Sequence, residues 1–433
     1  MIPPRNLTNK LHRLWRSVPL RLFVVFIAIY ALTAGVSLNR HSLAPHFVYL
    51  AESFLHGRLD LIHAPAPSYD LTLFEGSWYV SFPPLPALLM LPLVALRGLA
   101  ISDVAFSVVM GALNVSLFYV VLKRLGLGAR ASRAPTFGVW LCVLLGLGTP
   151  LWYCAALGSV WYTAHVVAVT CLCFYALEAL GKNRPLWTGL WLGLGFLSRA
   201  PVLLAFPLTL VLGWRETRNS AVWKPPLWEN VRFLLLLALG MAPALLGQAA
   251  YNWARFGNPL EFGYRWMNSP GPLLARQATW GQFSLHFVAE NLYTMLIRPP
   301  LVSLTPLSIE PNPWGMGLLF TCPAILLTLP ALAKIRETRF LGLWLSIALV
   351  SLPSLLYFNT GSYQFGYRFA LDWLPLGILL IALETDGKLH WWGKTLIVAS
   401  VMMHLWGLLW MYPNFNGQPW HIQHIELLRC LLH

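Results

Sequence analysis

The chain has 433 residues, 57% hydrophobic and only 11% charged, with a mean hydropathy of +0.61. Soluble domains carry roughly 25% charged residues, so this composition excludes an ordinary soluble enzyme. The formal net charge of +14 is spread over the loops between apolar runs and forms no basic patch, which leaves no case for nucleic acid.

Several runs approach the roughly 20 apolar residues that cross a bilayer. They are continuous rather than alternating, which rules against a barrel. The expected fold is all-α: one polytopic transmembrane helical bundle over 1–433, with about 11 spans (range 10–13). Five of the six cysteines, Cys142, Cys154, Cys171, Cys173 and Cys322, fall inside apolar runs, and Cys430 lies in the tail. Their spacing is neither a disulfide framework nor a zinc site.

Arg5, Lys10, Arg13, Arg16 and Arg21 precede the apolar run Leu22 to Leu38. This predicts a first span with a cytoplasmic N-terminus. No small-residue cleavage pattern leading to a soluble domain follows. The stretch from Ala44 to Pro86 is the expected working surface, within a first outer loop over 39–102. Phe47, Leu50, Ala51, Phe54 and Leu55 share one helical face, with Pro45 at the start and Gly57 at the stop. The expectation is a short amphipathic helix lying flat on the bilayer. An acidic, aromatic loop follows, holding Asp60, Asp70, Glu75, Tyr69, Trp78 and Tyr79, with Glu52 on the helix before it.

Residues 83–97, PPLPALLMLPLVALR, reach roughly 22 Å as a helix, short of a core of about 30 Å. They are read as a second interfacial helix that does not cross. The remaining spans fall at about 103–122, 136–153, 160–180, 186–197, 200–214, 231–251, 314–333, 340–358, 368–383 and 395–412. With that assignment 20 of the 30 lysines and arginines lie on the cytoplasmic side, which satisfies the positive-inside rule. Counting 83–97 as a span would invert every later basic loop. The C-terminus is then outside.

Pro185 to Gly213 is broken by Ser198-Arg199-Ala200-Pro201, and an ionisable residue at such a break is a site candidate. A second outer loop covers 252–313, with RFGNPLEFGYRW, a helix-like segment from Trp280 to Ile297, and IRPPL. A third, NTGSYQFGYR, ends at Tyr367 and Arg368. Arg368 and Asp372 stand four residues apart, where Asp372 would orient the guanidinium.

The outer side thus gathers carboxylates from one loop and Arg199, Arg265, Arg298 and Arg368 from others. A carboxylate can take a proton from an acceptor, and an arginine can neutralise a phosphate leaving group. Such arginines also serve as plain interfacial anchors, and the aromatics as belt residues.

The order of an N-inside span, HFVYLAESFLHGRLDL and a -FPPLP- segment resembles the GT-C superfamily of polyprenyl-phosphate-dependent glycosyltransferases. The nearest branch is the bacterial relatives of protein O-mannosyltransferases and aminoarabinose-lipid transferases. LGTPLWYCAALGSVWYTAH, GLGFLSRAP, YNWARFGNPLEFGY and SYQFGYRFALDWLP agree in type. The resemblance implies inverting sugar transfer from an isoprenoid-phosphate donor to a lipid, glycan or protein acceptor on the outer face of the cell membrane. It also implies an early acid in the first outer loop, yet LNRHSLAPHFV at 38–48 holds no Asp or Glu.

Asp70 is therefore the first catalytic candidate and Asp60 the second, with His41 and His46 as substitutes. Arg368, Tyr367, Arg298, Arg265, Arg199 and Glu52 are the substrate-binding candidates. The alternatives are a transporter or lipid flippase, which would carry paired broken helices, or an inactive relative. No cofactor is indicated. Some members of the family use a divalent cation, and His421, His424 and Glu426 form at most a partial ligand set, so no metal site is assigned.

Overall fold

The computed structural model describes residues 17–127, 135–218, 227–305, 307–361 and 363–416. Over these residues the chain is a helical bundle with two small hairpins. Helix α1 (Val18–Ala34) continues as a 3-10 turn to Asn39, and α2 is His46–Leu55. The hairpin strands β1 (Leu71–Phe74) and β2 (Ser77–Val80) precede α3 (Leu85–Arg97) and α4 (Asp103–Arg124). Next come α5 (Pro135–Leu147), α6 (Leu151–Leu157), α7 (Val160–Ala179), α8 (Pro185–Phe196), α9 (Pro207–Arg218) and α10 (Leu227–Phe256). The second loop carries α11 (Gly271–Trp280), α12 (Val288–Leu296), and the strands β3 (Leu301–Leu304) and β4 (Leu307–Glu310). The chain continues through α13 (Leu318–Thr321), a 3-10 segment Pro323–Lys334 and α14 (Thr338–Leu356). A 3-10 turn Arg368–Asp372 then leads to α15 (Leu374–Thr385) and α16 (Trp391–Asn416).

Among the described residues six helical segments are long and apolar enough to cross a membrane, and α5 and α6, bent by 57° at the break between them, make a seventh if the pair is one span. The other four expected spans, 186–197, 200–214, 314–333 and 368–383, hold helical segments of 12 residues or fewer. Twelve α-helical residues rise roughly 18 Å, so none of these crosses alone as one straight α-helix.

Close packing sets the bundle. Gly189 of α8 and Gly240 of α10 face each other so tightly that a Cβ on either would lie 2.2 Å from a carbonyl of the opposite helix. Small residues permit this approach, which is the usual device for helices in lipid. Between α4 and α7 polar side chains add cross-links: Ser107 to Thr163 at 2.7 Å, and Asn114 Nδ2 to the Val166 carbonyl at 2.8 Å.

One buried carboxylate joins the loops at one end of the bundle. Asp103 opens α4 and accepts the backbone N–H of Ser42 at 2.9 Å and of Ser159 at 3.1 Å. The segment from Ser42 to Asp103 therefore leaves and returns at the same end. Helix α3, 13 residues long, makes no net crossing, in line with the charge distribution.

Two features of this loop differ from expectation. The apolar face of α2 packs on protein rather than on lipid, because Phe47, Val48, Leu50 and Ala51 are buried with Ala87, Met90 and Val94 of α3. Full burial of such side chains is worth roughly 1.5–3 kcal/mol each. The acidic stretch folds into the β1–β2 hairpin, turned by Glu75 (φ 49°) and Gly76 (φ 78°). Two consecutive positive φ values make the turn that matches strand twist. In the second loop, Trp280 ends α11 instead of starting a helix, and the later helix begins at Val288.

Candidate active site

Asp70 sits on a tight turn before β1, itself at φ 56°. Aspartate is among the few residues that tolerate this conformation. Helix α7 and the second loop jointly hold its carboxylate. Trp161 Nε1 of α7 donates to Oδ2 at 2.7 Å, and Ser269 Oγ donates to Oδ1 at 3.0 Å. The backbone is locked as well: Asp70 N–H donates to the Asn268 carbonyl at 3.0 Å, and Asn268 N–H to that of Leu71 at 2.8 Å. His46 Nε2 lies 2.7 Å from the Tyr69 carbonyl. Burial holds this imidazole neutral, with a pKa near 4, so the ring donates one proton there.

Burial raises the Asp70 carboxyl above the usual carboxylate range, while the bonds from Trp161 and Ser269 and the charge of Arg368 pull it down. Asp70, Arg199, Arg368 and Tyr264 all lie close enough to Tyr357 to act electrostatically on its hydroxyl. These residues define one polar site.

Arg199 stands at the break between α8 and the 3-10 turn Ala200–Ala205. Its fork meets Asp372, Nη2 to Oδ2 at 2.9 Å and Nε to Oδ1 at 3.3 Å. His165 of α7 lies 3.0 Å from Asp372 Oδ1 through Nδ1. Asp372 thus orients Arg199, not Arg368, which corrects the four-residue pairing expected from sequence.

Arg368 is buried, 6% exposed. Its Nη1 donates to the carbonyls of Gly361 and Tyr363, and its Nε has no partner. Among the described residues no carboxylate lies within 4.0 Å of it. Arg255 offers a contrast: all three of its nitrogens donate, to the Tyr251 and Val80 carbonyls and to Asn252. Arg199 and Arg368 lie over the same ring, 5.2 and 5.1 Å from the centroid of Phe369.

The other sequence candidates fall elsewhere. Asp60 pairs with its near neighbour Arg58 on the surface, and that bond holds its carboxyl below the usual range, so it is the poorer base. Arg265 is exposed and pairs with Glu261 at 3.3 Å. Arg298 faces Glu290 in a separate cavity. The Tyr367 ring points into the core, its hydroxyl 3.4 Å from the Ser354 carbonyl. Glu52 makes no ion pair among the described residues, and its Oε2 is enclosed without a partner. Sequence reading missed His165, Trp161, Ser269 and Tyr264. Only the His165 signal was accessible, as a histidine inside an apolar span.

Among the described residues no group of three or more His, Cys, Asp or Glu could hold a metal ion. His421, His424 and Glu426 lie outside them. Asp70 has hydroxyl and indole partners rather than a second acid, so these residues do not fit a divalent cation.

Fold and site together define a polytopic helical membrane protein with an arginine- and aspartate-lined site at one end. No family model matches the chain, and no curated protein does. Among solved structures it is similar to ArnT from Cupriavidus metallidurans bound to undecaprenyl phosphate, with 15% identity and a TM-score of 0.46. It is also similar to the same protein in the apo state, with 16% identity and a TM-score of 0.45. Each match covers 86% of this chain and 61% of the other, so the chain spans about three fifths of their length.

Proposed function

We propose that this chain is a membrane glycosyltransferase of the GT-C type, moving a sugar from an isoprenoid-phosphate donor to a lipid, glycan or protein acceptor. The observation that carries this reading is Arg368, buried with its Nε unpartnered and with no carboxylate in salt-bridge contact among the described residues. A buried guanidinium without a counter-ion is costly, and a bound phosphate offsets that cost. Arg199 over the same Phe369 ring brings a second cation, held in place by Asp372. Two guanidinium groups in a low-dielectric site stabilise charge on a departing phosphate.

The charge of Arg368 acts on Asp70. Its raised carboxyl is better matched to proton abstraction than an exposed one. The acceptor hydroxyl or amine attacks the anomeric carbon while its proton passes to Asp70. The bond from that carbon to the phosphate oxygen breaks, and the electron pair leaves with the lipid phosphate. A single displacement of this kind inverts the anomeric centre.

The basic residues gather at the opposite end, where Lys334 and Arg339 surround a cavity with Leu125, Gly181 and Asp386. The positive-inside rule then supports an outward-facing site and a cytoplasmic N-terminus.

The test is organic extraction of purified protein followed by mass spectrometry. Wild type should carry an isoprenoid phosphate, and Arg368→Gln, at equal expression, should carry much less. Absence of any such lipid from wild type would overturn the reading. A transporter would keep its transport in Asp70→Asn, whereas a transferase loses turnover there and retains the lipid.

A further inference from the structure

The second loop builds a feature that this site does not use. Strands β3 and β4 pair antiparallel, Leu301 opposite Glu310 and Leu304 opposite Leu307. Neither face is covered: Leu301 is 50% exposed, Val302 59%, Leu304 81%, Leu307 77% and Ile309 59%. A lone two-stranded hairpin is marginal in water, and the register puts Val302, Leu304, Leu307 and Ile309 together on one uncovered face, which calls for an apolar surface against it.

The chain on either side of this hairpin lines a cavity of about 340 Å³. Arg298 enters from before β3, Asn312 and Trp314 from after β4, and Arg276 and Glu290 from α11 and α12. Glu290 faces two arginines, Arg276 Nη2 at 2.6 Å and Arg298 Nη2 at 3.6 Å. One carboxylate against two guanidinium groups leaves a positive charge over, and Arg276 Nε is enclosed without an acceptor. Glu310, at the foot of β4, is exposed and does not line the cavity. Trp314 and Tyr293, each 42% exposed, stand beside the arginines, as amphipathic rings do at headgroup depth. The apolar surface continues onto Leu296 and Ile297, 39% and 49% exposed.

We propose that this cavity and the β3–β4 hairpin bind an anionic membrane lipid, its phosphate between Arg276 and Arg298 and its acyl chains along the hairpin. Charge excess and exposed apolar surface, two independent features, meet at one point and describe one amphipathic ligand. Asp70 and Arg368 do not line the cavity, so the proposal stands apart from the transfer reaction.

The test uses the full chain in neutral detergent, offered equal amounts of dioleoylphosphatidylglycerol and dioleoylphosphatidylcholine, with retained lipid read by native mass spectrometry. The anionic lipid should be retained preferentially. Arg276→Gln with Arg298→Gln should lower that retention by roughly tenfold or more, as for loss of charge-assisted hydrogen bonds. Glu290→Gln should raise it, because both arginines lose their competitor, and a folding defect would not produce a rise. Leu304→Ser with Leu307→Ser should lower retention while the thermal midpoint stays unchanged.

Equal retention of the two lipids, or no rise in Glu290→Gln, would overturn the site. Displacement by inorganic phosphate with no dependence on the hairpin would reduce it to a free-anion site and overturn the lipid assignment. Unchanged lipid retention in the hairpin variant would overturn the role of the hairpin, and a dimer seen in wild type but lost in that variant would identify it as a protein interface instead.

Discussion

Asp372 and Arg199 form a two-point ion pair across 173 residues of sequence, at 2.9 and 3.3 Å. This pair takes the carboxylate that stands four residues from Arg368 and leaves Arg368 without one. The consequence is a division of labour between the two arginines. Arg199 is fixed by Asp372, and Arg368 is the buried cation available to an anion.

Removing one partner of that pair should be costly. Asp372→Asn strands Arg199 beside Arg368, and breaking a buried pair typically costs about 3–5 kcal/mol. The thermal midpoint in detergent should fall by several degrees. An unchanged midpoint would mean that solvent already screens the pair.

Arg368 should behave in the opposite way. With no carboxylate to strand, Arg368→Gln should leave the midpoint within a few degrees of wild type or raise it, while binding of an isoprenoid-phosphate lipid falls. Hydrogen bonds to a charged group are worth about 1.5–3 kcal/mol, or roughly 10- to 100-fold in affinity. Arg368→Lys keeps the charge but not the planar fork, so its affinity should lie between the two. Equal lipid affinity in all three proteins would remove this residue from the site.

Asp70→Asn should keep expression and lipid binding and lose roughly 10²- to 10⁴-fold in turnover. The pH dependence follows from the direction of its shift. A base must be ionised, so the acidic limb of kcat/KM should lie above the ordinary aspartate value of about 3.9. For stability the sign is reversed. A carboxyl raised in the folded state favours folding while protonated, and that contribution is lost as pH rises through the folded pKa. Asp70→Asn should therefore be more heat-stable than wild type near pH 7, with the difference shrinking toward pH 4.

Asp60→Asn should transfer sugar at a rate within a few-fold of wild type. Its carboxylate is occupied by Arg58 at the surface, and it is the weaker base. A loss as large as that of Asp70→Asn would exchange the two roles.

Ser102 precedes α4, and Lys182 follows α7, at opposite ends of the bundle. In a background lacking Cys430, Ser102→Cys and Lys182→Cys should react with an impermeant reagent from opposite sides of the membrane. The other five cysteines are buried and should stay silent. Labelling of both from the same side would refute the end-to-end assignment of α4 and α7.

The sequence alone determined the solvent this protein lives in, because apolar runs of span length and a one-sided distribution of lysine and arginine are local properties. It also located the break at Arg199, since Ser198-Arg199-Ala200-Pro201 interrupts a helix wherever it stands. Helix α2 was legible from its apolar spacing. The β1–β2 hairpin was written there as LTLF and SWYV around Glu75-Gly76, but the acidic and aromatic content of the stretch obscured the alternation.

Which carboxylate belongs to which arginine was decided only by the tertiary structure. Pairing at four residues presumes α-helical geometry, whereas Arg368–Asp372 is a 3-10 turn. With three residues per turn, positions four apart are rotated by about a third of a circle, so Asp372 points away from Arg368 toward α7 and the α8 break. Trp161 and Ser269 likewise reach Asp70 from 91 and 199 residues away. The periodicity of a single segment carries no information about contacts at that separation. They exist because Asp103 and the β1–β2 hairpin fold the first two loops onto one end of the bundle.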